Sequence, residues 1–175
     1  MPAGDSVPAA SARCRLTVQA DGTPEGFRAR YETAVPPLPS EPITELIRRQ
    51  APWSEMLDLV NAVAPFGYLT YHRLDVERVV RLAGDTATGV AYLMGNHTFM
   101  ERMFRYEPAI LLYAPLHTAI WDDPGGPAYF SFDRPNDQFG SFGHPEITAV
   151  GRELDAKLVV LLEHLRVAVP GELRA

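Results

Sequence analysis

The amino-acid sequence predicts an α+β fold, a layer of mostly antiparallel strands covered by helices, and three observations carry that expectation. From residue 68 onward the apolar periodicity switches type repeatedly: strand, helix, strand, short helix, two more strands, long helix. The turn signal Asp123-Pro124-Gly125-Gly126 joins the last two strands as a hairpin. The closing helix carries Ile147, Val150, Leu154, Leu158, Leu161 and Leu165 at spacings of three and four, a stripe that must be buried. Hairpin-joined strands, with helices that need to cover one face, make a layered α+β architecture.

Composition bounds the rest. A chain of 175 residues, 46% hydrophobic and 22% charged, is long enough for one compact domain with its own core. We divide it into a disordered tail over 1–12, a hairpin and helical extension over 13–65, and the core domain over 66–169. The net charge of −6, with no Lys/Arg run, argues against nucleic acid as a partner. Lys157 is the sole lysine, so positive charge is nearly all arginine, suited to local carboxylate pairing. The single cysteine, Cys14, permits no intrachain disulfide and no cysteine metal cluster. The opening MPAGDSVPAASAR has neither the basic start nor the apolar segment of a secretory signal, and no apolar run approaches a membrane span. A cytoplasmic location and no membrane partner are the expectation.

Taken in order, Arg15–Gln19 alternates as a strand, Asp21-Gly22 is a turn, and Phe27–Val35 is expected to return as the second strand of a hairpin. Pro36-Pro37-Leu38-Pro39 is a stiff connector. Ser40 is expected to cap a helix through Ile43, Leu46 and Ile47, broken by Pro52, after which Leu57, Val60 and Val63 share a face. Tyr68–His72 is a strand. Asp75 caps a helix with Val76, Val79 and Val80 as its buried stripe, and Gly84 lies past its end. Val90–Met94 is a strand. Thr98 and Glu101 have capping-box spacing for a helix that must stop before Pro108. Ala109–Trp121 reads as one long strand with Pro115 at a bulge or edge. Ala128–Asp133 returns from the hairpin, residues 134–143 form a polar loop, and the last helix opens at His144-Pro145-Glu146.

Several short motifs fall in a telling order: Phe66-Gly67-Tyr68-Leu69, Gly95-Asn96-His97, Glu107-Pro108, Leu111-Leu112-Tyr113-Ala114-Pro115 and Trp121-Asp122-Asp123. In this order residues 66–133 resemble the bacterial and archaeal domain-of-unknown-function 302 family, and the final helix agrees in kind. The resemblance implies a TATA-binding-protein-like α+β fold and a homodimer. It implies no activity. Two departures stand out: His97 occupies the position of the family's usual Pro, and the segment before Phe66 is longer and Pro-rich.

The candidate site is Gly95-Asn96-His97-Thr98, where a strand gives way to a helix. Free amides at a helix start can hold a carboxylate or phosphate, and Gly95 permits close approach of a backbone. Turn chemistry alone accounts for Gly95, Asn96 and Thr98; it accounts less well for His97. His72 and His117 fall in core strands and are placed near His97, with Tyr113 as a further ligand contact. His97 and His117 are the candidate acid/base residues, because a neutral imidazole can take or give a proton near pH 7. No HExxH motif, Cys–His set, phosphate loop or nucleophile elbow is present, so structural zinc and nucleotide cofactors are not expected. The expectation is a protein that binds a small, partly apolar metabolite with its polar end at Asn96-His97, where the same residues could turn it over. The alternatives are a haem or metal protein using His97 or His117, and a dimeric interaction module without catalysis.

Overall fold

In the computed structural model, residues 15–122 and 124–174 are described; the expected tail over 1–12, Cys14, and Asp123 of the expected turn lie outside them. The core of the fold is one antiparallel five-stranded sheet. Its strands are β1 (Arg15–Ala20), β2 (Leu69–Asp75), β3 (Thr88–Gly95), β4 (Leu116–Asp122) and β5 (Ala128–Asp133), in the order β1-β5-β4-β3-β2. β2 to β5 run as a meander, and β1 adds beside β5 with Arg15 opposite Asp133. The α+β expectation holds. No helix among the described residues is long and apolar enough to cross a membrane.

The first correction concerns residues 24–34, which form helix α1 (Pro24–Ala34) and not the returning strand of a hairpin. Phe27, Ala29, Tyr31 and Thr33 alternate, but Phe27, Tyr31 and Ala34 also satisfy the helical repeat, and all three are buried. Start chemistry decides between the two periods. Pro24 takes the first turn, and the Thr23 hydroxyl accepts the Gly26 amide at 3.1 Å.

Two helices follow, α2 (Ser40–Arg48) and α3 (Trp53–Val63), parted at Pro52 as expected. Ser40 is the first helical residue and not the cap. The buried side of α3 is Met56 and Val60, while Leu57 is exposed. With Ile43, Ala64 and Leu69 these make a second, smaller apolar cluster. The short helix α4 (Glu77–Val80) follows Asp75, whose carboxylate accepts the Glu77 amide. Its expected valine stripe is not buried: Val76 and Val79 are exposed.

Helix α5 (His97–Phe104) is capped by Asn96, not by a Thr98–Glu101 box; the Glu101 carboxylate pairs with Arg105 instead. The expected long strand over Ala109–Trp121 is divided. Pro108 and the Glu107 side chain, which accepts the Ala109 amide at 2.9 Å, start a 3-10 turn over Pro108–Leu112. The strand begins only after Pro115, so the proline interrupts no ladder. The expected polar loop contains helix α6 (Pro135–Gly140), which buries Gln138 and Phe139. It lies against α7 (Pro145–Leu165) where Gly151 has no side chain; a Cβ there would sit 3.0 Å from the Asn136 Cα. All six residues of the α7 stripe are buried. Together with α1 and the inward residues of the sheet they form the main core.

Candidate functional site

The site is built where β3 ends. Asn96 leaves the strand in extended conformation and turns the chain into α5. Its side-chain oxygen accepts the Thr98 amide at 2.8 Å and the Thr98 hydroxyl at 2.7 Å, and its amide nitrogen donates to the Gly67 carbonyl at 3.0 Å. Asn96 is buried, and its polar groups are thus committed to the turn. Gly67, at φ 79°, is in the left-handed region that favours glycine, in the turn that leads to β2. One side chain thereby locks the end of β3 to the approach to β2. The helix-start amide proposed to hold an anion is largely closed by this cap.

Below the turn lies a cavity of about 130 Å³. Its walls come from the end of β3 (Met94, Gly95), the start of β4 (Pro115, Leu116), α5 (Phe99, Met100, Met103), Phe139 of α6 and Leu154 of α7, closed by Tyr68, Tyr71 and His97. Among the described residues no Asp, Glu, Lys or Arg lines it. The Tyr68 hydroxyl is occupied, donating to the Leu154 carbonyl at 2.8 Å. What remains polar is a pair. The Tyr71 hydroxyl and His97 Nδ1 are 2.9 Å apart, with ring centroids 5.0 Å apart. Burial pushes the His97 imidazole below its ordinary pKa, favouring the neutral ring. Burial also raises the Tyr71 phenol well above its ordinary value, partly offset by the His97 backbone amide, so the phenol keeps its proton.

Tyr71 reaches this position through a register shift between Thr70 and His72 in the β2–β3 ladder. An extra residue at such a shift re-aims its side chain. Nothing in the sequence around Thr70-Tyr71-His72 signals it, and sequence reasoning missed Tyr71. It also missed the three methionines of the wall, which look like ordinary core residues.

The three strand-associated histidines do not meet. His117 is exposed, between the buried Leu116 and Thr118, and so projects from the face opposite the cavity wall. His72 and His117 are both register partners of Leu93, which puts the two on that same outer face. Neither lines the cavity that His97 borders. Tyr113 packs against Phe142 at 5.7 Å and is not among the cavity residues, and neither is Thr98. Among the described residues no group of three or more His, Cys, Asp or Glu is placed to hold a metal ion.

With this geometry the chain can be compared with known proteins. No family model and no curated protein matches its sequence. A solved structure does match: an uncharacterized conserved protein, DUF302, from Bacillus stearothermophilus. The similarity covers 86% of this chain and 97% of that chain at a TM-score of 0.61 and 12% identity. The chain has a DUF302-like fold. The likeness extends well beyond residues 66–133, to which the motifs were confined, and takes in nearly the whole of the other protein. At this identity the DUF302 comparison speaks to fold alone.

Proposed function

We propose that this chain is a small-molecule-binding protein whose ligand occupies the cavity beneath the β3–α5 turn, with its polar end against His97. The observation that carries this reading is an apolar cavity with one imidazole on its wall, held through Nδ1 by Tyr71 and with no hydrogen-bond partner at Nε2 among the described residues. That is the usual composition of a ligand site: apolar walls and a small number of orienting polar groups. Turnover, where it occurs, would use the same imidazole as proton donor or acceptor. The cavity size favours a ring-sized ligand over a haem, because about 150 Å³ holds a molecule such as benzene. The test is a thermal-shift screen of small metabolites on wild type and His97→Ala. Ligands that stabilise wild type should lose that effect in the variant while its own midpoint changes little; ligands unaffected by His97→Ala would remove His97 from the site.

A second reading, assembly with another copy of the chain, is favoured by the β2–α4 region. Leu74, Val79 and Leu82 are 51%, 66% and 89% exposed within nine residues, more apolar surface than a short segment usually leaves in water. Sedimentation velocity tests it: a dimer of the 19.4 kDa chain that dissociates in Leu82→Glu is expected, and a monomer at all concentrations would dismiss it.

A further inference from the structure

Resting on the proposed ligand site, we infer that the cavity selects neutral molecules carrying one hydrogen-bond acceptor, a carbonyl being the simplest, because Tyr71 holds His97 as a donor at Nε2. The inference begins with the proton of Tyr71. Among the described residues the phenol has a single side-chain partner, His97 Nδ1 at 2.9 Å. The phenol is part-buried on the cavity wall, where an unused O–H costs free energy. Donating to Nδ1 uses it. Nδ1 is then the acceptor nitrogen of a neutral imidazole, and the ring proton is on Nε2. Nε2 makes no hydrogen bond among the described residues.

Charge excludes the other ligand classes. An anion would need a compensating cation, and among the described residues no arginine or lysine lines the cavity. Asn96 already takes the Thr98 amide at the start of α5, and burial disfavours protonation of His97 itself. A cationic ligand would need an acceptor or a carboxylate; the described lining has no carboxylate, the Asn96 oxygen is taken twice by Thr98, and Nδ1 is taken by Tyr71. A neutral ring with a carbonyl uses the Nε2–H and leaves nothing buried and unpaired. Tyr71 is in this scheme a positioning residue, which acts through the ring of His97.

Three monosubstituted benzenes separate the possibilities: acetophenone, toluene and benzoate. Met94, Met100 and Met103 line the cavity and Met56 does not, so methionine-methyl NMR reports binding where it happens. Acetophenone should shift the three cavity methyl signals with a Kd about three- to tenfold below that of toluene, the worth of one net hydrogen bond, and benzoate should shift none at neutral pH. Nitrogen-15 spectra of the His97 ring should show the proton on Nε2, and Tyr71→Phe should turn that single tautomer into a mixture. Benzoate binding as tightly as acetophenone, equal affinities for acetophenone and toluene, or a proton on Nδ1 would each overturn this inference and leave the cavity as a ligand site. If none of the probes moves the three methyl signals, the ligand-site proposal falls with it.

Discussion

Gly95 and Pro115 touch so closely that a Cβ on Gly95 would lie 3.1 Å from the proline Cβ and 3.4 Å from its Cα. The same added atom would lie 3.3 Å from Tyr71 Cε2. The absence of a side chain at residue 95 therefore lets the β4 entry and Tyr71 close on the cavity together. Gly95→Ala should destabilise the fold by about 1–2 kcal/mol, the usual cost of overpacking, and should displace Tyr71 from His97. Urea unfolding measures the first effect and the His97 ring spectrum the second. An unchanged midpoint together with an unchanged spectrum would mean that Pro115 yields freely.

Asn96 ties three backbone segments by two kinds of bond, so its loss should cost more than a surface cap. Asn96→Ala removes the cap of α5 and leaves the Gly67 carbonyl without its donor. The expected destabilisation is about 1–3 kcal/mol, a cap plus part of a buried hydrogen bond. Asn96→Asp, which keeps the cap but not the donor, should fall between the two in a denaturant series.

The His97 pKa predicts a pH dependence with a definite sign. Burial lowers it in the folded chain below the ordinary 6.5. The unfolded chain therefore binds the proton more readily, and unfolding free energy rises with pH between the folded and unfolded values. This contribution is fully present above the unfolded value and is lost as the pH falls through the folded one. His97→Gln should consequently gain on wild type in acid, seen as urea midpoints that converge or cross between about pH 7.5 and about pH 5. Parallel profiles would show that the imidazole is not shifted.

Leu158 lies in the middle of the α7 stripe and is 0% exposed. Leu158→Ala should cost about 2–5 kcal/mol, the transfer term plus the cavity left behind. A calorimetric loss below about half a kcal/mol would place α7 outside the core.

What was legible in the sequence followed from burial on one clear period. The α7 stripe, the Ala128–Asp133 strand and the Val90–Met94 strand have one apolar pattern each, and the fold respects it. The stretch Phe27–Val35 fits both periods, and Thr23-Pro24 resolves it through local capping that the alternation obscured. Valines 76, 79 and 80 have helical spacing without an element to receive them, so the pattern marks exposed surface instead of core. At the site, the turn chemistry of Gly95-Asn96 was legible, and so was the singularity of His97. Its partner was not, because Tyr71 arrives through a register shift, and the separation of His72 and His117 from His97 is a fact of sheet facing that only strand order decides.

The pairing of β1 with β5 has a consequence for how the chain assembles. Arg15 reaches the Asp133 carboxylate across 118 residues, whereas β2 to β5 each pair with a neighbour in the chain. Closing so long a loop is entropically late business, and local pairings precede it. On a ribosome, β1 would wait for β5 before it had an edge to join, with α1 able to form meanwhile. Until then β5 would present a bare flank, and the acidic Asp133 and the Tyr129-Ser131 ladder sites along it are what a foreign strand would meet first. The order of strands thus makes β1 the latch of the sheet, the last piece to arrive and the first whose loss would open it.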